Sequence, residues 1–136
     1  MKKFEFLKHT ADVKFRAYGK NLEEQFANAA LAMFSIITET EKVKPEFEKT
    51  ITVEGADEKS LLYNWLEELL YLMDAEEFML HDVKKVKIEK KEKLKLTAQV
   101  VGSKFKKEYE ILSGIKAATY NEMELTPTYV QVVVDV

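Results

Sequence analysis

The carboxyl-terminal segment constrains the fold more than any other feature of the sequence. Residues 129–136 read Tyr-Val-Gln-Val-Val-Val-Asp-Val, and a run this rich in β-branched side chains favours extended backbone. A chain terminus frays unless it is tied down by neighbouring structure. We therefore expect a strand that runs to Val136 and is held within a sheet.

Apolar and polar side chains alternate in four further segments, which predicts strands because successive side chains point to opposite faces of a sheet. Two of these strands lie near the amino terminus, at residues 3–8 and 13–18. A third covers residues 46–54. Residues 86–101 alternate on both sides of Lys90-Lys91-Glu92, which predicts a β-hairpin with its turn at those residues.

Helical spacing predicts two helices. Asn21 and Glu24 resemble a capping box in front of a helix over residues 22–38. Asp57 or Ser60 can cap the second helix, whose apolar stripe consists of Leu61, Leu62, Trp65, Leu66, Leu69, Leu70 and Met73. Residues 115–125 fit a short helix or a strand equally well.

These elements predict the α+β class, with two helices packed on one face of a mainly antiparallel β-sheet in a single-domain sandwich. The chain has 136 residues, 46% of them hydrophobic, which suits one core. Two prolines and four glycines offer no flexible linker. We expect residues 1–136 to form one domain.

Composition excludes several classes of function. There is no cysteine, which removes disulfides, thiolate metal sites and cysteine nucleophiles. The amino terminus lacks the apolar core of a signal peptide, and no run is long enough to span a membrane. We expect a cytoplasmic protein without a membrane partner. The net charge of −3 disfavours a free-standing nucleic-acid binder.

The common nucleotide and hydrolase motifs are also missing. The sequence has no G-x-G-x-x-G, P-loop or H-E-x-x-H pattern. Ser103 lies beside a glycine and is expected to mark a turn, as are Asp74 and Asp82 after the second helix. None of these residues predicts a catalytic centre.

Two aspartates are less easily explained by local structure. Asp12 follows a short loop between predicted strands, and Asp135 interrupts the terminal valine run one residue before the carboxylate of Val136. If the first strands pair with the last, these three groups converge at one end of the sheet. Oxygen ligands suit Ca²⁺ or Mg²⁺. The alternative, two solvated aspartates at strand ends, stays open.

Lysine is concentrated in residues 82–107, which hold ten lysines against three acids, a local charge of +7. Such a segment could dock an acidic partner or an RNA backbone. Lysines that alternate with apolar residues also form the solvated face of a hairpin, where they discourage aggregation. No arginine accompanies them and aromatic residues do not alternate with them, which favours the structural interpretation.

Taken in order, the motifs resemble the archease family along nearly the whole chain. The first motif joins residues 9–13 (His-Thr-Ala-Asp-Val) to residues 16–19 (Arg-Ala-Tyr-Gly). The others are Leu22-Glu23-Glu24, Asn28-Ala29-Ala30-Leu31-Ala32-Met33-Phe34, Trp65-Leu66-Glu67-Glu68-Leu69-Leu70-Tyr71-Leu72, Gly114-Ile115-Lys116-Ala117-Ala118-Thr119-Tyr120 and Val134-Asp135-Val136.

The resemblance implies an accessory protein, not itself an enzyme, for the RtcB-type RNA ligase of tRNA splicing. Archeases promote guanylylation of that ligase by GTP and so its repeated turnover. The family's divalent cation, assigned as calcium, with Mg²⁺ or Mn²⁺ as alternatives, would be held by residues that match Asp12, Asp135 and Val136. Lys116 matches a family lysine, and we expect it and His9 to contact the partner or phosphate.

One departure and two rival functions accompany the resemblance. The family often has histidine where this chain has Asn121, so no imidazole role transfers to that position. A small metal-dependent phosphoesterase using Asp12 and Asp135 is one rival. A chaperone-like or RNA-binding module acting through the lysine-rich hairpin is the other, and no sequence-specific contact to nucleic acid is expected.

Overall fold

Two antiparallel sheets and two α-helices make up the fold in the computed structural model, which describes residues 2–8 and 11–136. A 3₁₀ turn covers Thr40–Lys42. The helices are α1 (Leu22–Ile37) and α2 (Glu58–Glu76), and the strands are β1 (Phe4–Leu7), β2 (Val13–Tyr18), β3 (Phe47–Gly55), β4 (Phe78–Lys90), β5 (Leu94–Lys104), β6 (Ala117–Ala118), β7 (Glu124–Leu125) and β8 (Tyr129–Asp135).

The strands divide between a terminal sheet and a central sheet. The terminal sheet has the order β1-β2-β8-β6, with β7 also paired to β8, and the central sheet has the order β3-β5-β4. Every strand pair among the described residues is antiparallel. The predicted α+β class is therefore confirmed, but the strands form two sheets and not one.

Each helix begins at a side chain that satisfies an otherwise unpaired backbone N–H. The Asn21 side chain accepts a hydrogen bond from the Glu24 N–H at 2.8 Å in front of α1. Asp57 and Ser60 form a complete capping box in front of α2. Glu77 then ends α2 in the left-handed region, at φ 58°. The predicted helix starts are confirmed.

The core lies where the helices meet the two sheets. Helix α1 contacts β2 of the terminal sheet and β4 of the central sheet, whereas α2 packs mainly on β3 and also reaches β6. Trp65 is fully buried, and its indole N–H donates to the Phe26 carbonyl oxygen at 2.9 Å. This bond joins the two helices inside the core.

The turns predicted at three residues were wrong. Asp82 lies within β4, beside a break in register after Leu80, and not in a turn. Ser103 lies within β5, fully buried and 2.7 Å from the Tyr109 hydroxyl. Asp74 lies within α2. In each case the chain continues a regular element through a residue that often marks turns.

Residues 115–125, left open by the sequence pattern, contain the two-residue strands β6 and β7.

No helix within the described part of the chain is long and apolar enough to cross a membrane.

Candidate functional site at the tip of the terminal sheet

The antiparallel ladder between β2 and β8 joins the two ends of the chain. Its last pair is Val13 with Val134. Asp12 directly precedes Val13, and Asp135 directly follows Val134, so the two aspartates occupy the same end of the sheet. Opposed side chains on neighbouring strands have Cβ atoms about 5 Å apart. We call this end, with Asp12, Asp135, Val136 and Lys116, the acidic tip.

Strand β6 holds the other side of Asp135. Ala117 pairs with Asp135, and the Lys116 backbone N–H donates to the Asp135 carbonyl oxygen at 2.8 Å. Val134 thus lies between β2 and β6, and Asp135, the next residue, is paired with β6. The Lys116 side chain is exposed, so its ammonium group is accessible at the same end as the aspartates.

The oxygen donors of the acidic tip suit a hard cation. Asp12 and Asp135 are half-buried, whereas Val136 is exposed. No group of three or more His, Cys, Asp or Glu side chains within residues 2–8 and 11–136 is arranged to hold a metal ion. A cation bound at the acidic tip would therefore need further oxygen ligands from backbone carbonyls or water. His9, predicted as a contact residue, lies outside the described residues.

A polar network on the terminal sheet adjoins the acidic tip. Arg16, the only arginine of the sequence, donates from Nε to Gln131 Oε1 at 3.0 Å. Gln131 Nε2 donates to the Glu122 carbonyl oxygen at 2.8 Å, and Lys14 Nζ donates to Glu122 Oε1 at 3.2 Å. Glu122 lies in the turn between β6 and β7, so the network fastens that turn to β2 and β8.

Sequence reasoning did not find this network. Gln131 was visible only as a polar residue in a valine run, yet it is 3% exposed. The Arg16 guanidinium also lies 4.4 Å from the centre of the Tyr129 ring. The sequence offered two signals, a single arginine and a glutamine within a valine run, but only the pairing of β2 with β8 connects them.

The loop after β6 is held against α2 by two contacts. Glu67 Oε2 accepts a hydrogen bond from the Ala118 N–H at 2.8 Å. The Tyr120 ring stacks on Tyr63, with centroids 4.5 Å apart and planes 12° apart, and burial raises the pKa of the Tyr120 hydroxyl. Asn121 is exposed beside it. The position of Lys116 is thus supported from the helix as well as from β8.

A second concave region lies elsewhere, around the irregular part of β4. It is a cavity of about 450 Å³ whose lining includes Lys3, Glu39, Glu41, His81 and Asp82. His81 Nδ1 lies 3.2 Å from the Thr40 carbonyl oxygen. Neither Asp12 nor Asp135 lines this cavity, so it is separate from the acidic tip.

Comparison with known proteins shows which family the chain belongs to. Residues 4–136 match the profile of the Archease protein family (MTH1598/TM1083). The chain belongs to the archease family.

Individual archeases are similar to this chain along most of their length. Proteins named Protein archease from Methanosarcina barkeri and Methanosarcina mazei are 43% and 45% identical to this chain, each covering 99% of it and 97% of the relative. The Pyrococcus furiosus archease is 45% identical over 92% of this chain and 89% of its own length.

A solved structure has the same fold as this chain. The solution structure of Methanobacterium thermoautotrophicum protein 1598 is 39% identical, covers 100% of both chains and superposes with a TM-score of 0.85. The resemblance found in the sequence motifs is thereby confirmed, and the α+β fold is shared.

Proposed function

We propose that this archease-family chain activates an RtcB-type RNA ligase of tRNA splicing without catalysing a reaction itself. It would promote GTP-dependent guanylylation of the ligase and so its repeated turnover. The family resemblance supplies the partner. The observation that carries the site is the pairing of β2 with β8, which sets Asp12 and Asp135 at one end of the terminal sheet.

The acidic tip would act by presenting a divalent cation together with a lysine. Asp12, Asp135 and the Val136 carboxylate would hold the ion, and the donor type favours Ca²⁺ over softer metals. A bound divalent ion neutralises phosphate charge during nucleotidyl transfer. The chain's own contribution is orientation: β6 pairs with Asp135, β2 pairs with the preceding Val134, and Lys116 faces solvent beside Asp135.

Lys116 would contact a phosphate or a carboxylate of the ligase. Its backbone is anchored by the hydrogen bond to Asp135, so the ammonium group extends from a fixed point. A positioned cation stabilises the charge that develops on a transferring phosphoryl group. His9, three residues before Asp12 in the sequence, is the second proposed contact residue.

The test follows the guanylylated ligase and the product formed per ligase molecule, with and without this protein, at controlled Ca²⁺ and Mg²⁺. We expect Asp12→Asn and Asp135→Asn each to abolish most of the stimulation. Calcium affinity, measured by calorimetry on the protein alone, should fall at least about tenfold. Asp74→Asn removes an exposed carboxylate of α2 and should leave both quantities unchanged.

Three results would count against the proposal. Full stimulation by both tip variants would remove the acidic tip from the mechanism. Absence of any stimulation by the unmodified protein would refute the ligase role. Phosphoester hydrolysis by the purified protein alone, lost in Asp12→Asn, would instead support the phosphoesterase alternative.

A further inference from the structure

The central sheet leaves one face uncovered by the helices. Exposed residues alternate along β3 at Glu48, Thr50, Thr52 and Glu54, while the intervening side chains turn inward toward α2. The strand pairing shows which residues of β5 and β4 lie on the same outer face. The face is exposed at Thr50, Thr52, Gln99, Lys85 and Lys87, whereas Val101 farther along β5 is 6% exposed.

Two neighbouring rows in the middle of this face consist of hydrogen-bond donors. One row is Thr50, Gln99 and Lys85, and the next is Thr52, Thr97 and Lys87, as the strand pairing shows. Thr97 is half-buried and the other five side chains are exposed. We call these six residues the donor array. Its two lysines lie about 7 Å apart along β4.

None of the six side chains is engaged by another described residue. No hydrogen bond or ion pair to any of them occurs within residues 2–8 and 11–136, whereas the adjacent Lys84 pairs with Glu48 at 3.1 Å. Lys49, on the inner side of β3, pairs with Glu76 at 2.6 Å. The donor array therefore keeps its ammonium, hydroxyl and amide groups available for a ligand.

Carboxylates border the array on both sides. The row toward the hairpin turn is Glu54, Lys95 and Glu89, and the row at the other end is Glu48, Val101 and Asp82. The turn itself adds the exposed residues Lys90, Lys91, Glu92 and Lys93. The array and the turn are thus the positive parts of this face.

The chemistry of the donor array selects a phosphate backbone over a protein. Protein interfaces depend on buried apolar and aromatic anchors, and the two rows contain neither. Lys, Thr and Gln are side chains that bind phosphate and sugar oxygens. The absence of aromatic rings also excludes stacking on unpaired bases, which leaves the phosphates and 2′-hydroxyls of a duplex.

We propose that the donor array is a binding surface for duplex RNA, recognised through its backbone and independently of its sequence. The net charge of −3 does not prevent this, because fields are screened within about 8–10 Å at ordinary salt, and the donor array together with the hairpin turn holds five lysines against one glutamate. Binding is expected to be weak and salt-dependent. The surface lies on the central sheet, apart from the acidic tip, so it does not depend on the ligase proposal.

The test is fluorescence anisotropy of a short labelled RNA duplex with the full protein, from 50 to 200 mM salt. Non-specific binders have Kd values of about 10⁻⁴–10⁻⁶ M, and we expect a value in this range at the lower salt. The double variant Lys85→Gln/Lys87→Gln should weaken binding about tenfold. It should also reduce the slope of log Kd against log salt by about 2, because each lost phosphate contact removes about one ion.

A matched control has the same change in net charge. Lys20→Gln/Lys107→Gln removes two exposed lysines outside the central sheet and should alter Kd less than twofold. Thr52→Val keeps the charge and the β-branched shape, so it should leave the salt slope unchanged while reducing the preference for RNA over a DNA duplex. Thermal melting of each variant verifies the fold.

Four outcomes would overturn the proposal. The first is that the unmodified protein binds no RNA with a Kd below about 10⁻⁴ M, and the second is that both lysine double variants weaken RNA binding equally. The third is that single-stranded and duplex RNA bind with equal affinity. The fourth is that polyglutamate binds more tightly than RNA. The last would identify the surface as a site for an acidic protein. A loss of ligase stimulation in tip variants that still bind RNA would separate the two proposals.

Discussion

Asp57 shows how one side chain fixes the start of α2. Its carboxylate accepts a hydrogen bond from the Ser60 N–H at 2.8 Å, while Ser60 Oγ accepts one from the Asp57 N–H at 3.1 Å. The bond from the Ser60 backbone is the main cause that lowers the pKa of the Asp57 carboxyl. The ionised form therefore stabilises the folded state.

This shift predicts a pH-dependent effect of Asp57→Asn. A carboxyl whose pKa is lowered by folding contributes stability above its unfolded pKa, about 3.9, and that contribution disappears as the pH falls through the folded value. The variant keeps the oxygen acceptor but not the charge. We expect a lower Tm than wild type at pH 7 and convergence of the two values at acid pH. A Tm difference that is constant with pH would contradict the linkage.

At the same scale, the sequence pointed to candidate site residues but not to the residues that support them. Asp12 and Asp135 were identified because no local structural role explains them. Gln131 and Arg16 were not, because their interaction joins positions 115 residues apart. A buried polar residue is informative only when its partner is known, and the partner comes from strand pairing.

At the scale of elements, β4 shows where periodicity fails. The sequence predicted its hairpin from residue 86, whereas the strand begins at Phe78. Register shifts between Leu80 and Asp82, and between Val83 and Lys85, interrupt the alternation of side chains before Val86. Strands β6 and β7 have two residues each, which is too short for any period. Regular segments were thus predictable and irregular ones were not.

Gly102 lies opposite the irregular part of β4. We expect its substitution to destabilise the folded protein strongly. A Cβ at Gly102 would lie 1.9 Å from the Met79 carbonyl oxygen, whereas one at Gly114 would meet nothing within 4 Å. Backbone cannot give way as a flexible side chain can. We expect Gly102→Ala to lower the free energy of unfolding by about 2 kcal/mol or more.

Gly114→Ala is the matched control for that measurement. With no steric contact and no positive φ, it should be neutral or stabilise by up to about 1 kcal/mol, because alanine restricts the unfolded chain. Urea denaturation of both variants gives the comparison. Equal stability of the two would show that the close approach of β4 to β5 is not required.

At the scale of the whole molecule, β8 is the strand that holds the terminal sheet together. It pairs with β2, β6 and β7, and Val130, Val132 and Val134 are fully buried. Local opening of such a strand would break several ladders at once. Strand β1, in contrast, pairs with β2 alone among the described strands.

Hydrogen exchange should separate these two strands. We expect the Val132 and Val134 amides to exchange only through global unfolding, with a denaturant dependence equal to that of the equilibrium transition. The Phe6 amide should exchange faster, through local opening of β1. Exchange of Val132 as fast as that of Phe6 would show that the last strand detaches while the rest stays folded.

The direction of β1 and β8 has a practical consequence for fusion proteins. Phe4 pairs with Ala17, far from Val13, whereas β8 ends next to Val13. Residues added before β1 would therefore extend from the end of the terminal sheet opposite Asp135, but residues added after Val136 would emerge beside Asp135 and convert the Val136 carboxylate to a peptide bond. A purification tag at the amino end leaves that surface accessible, and one at the carboxyl end obstructs it.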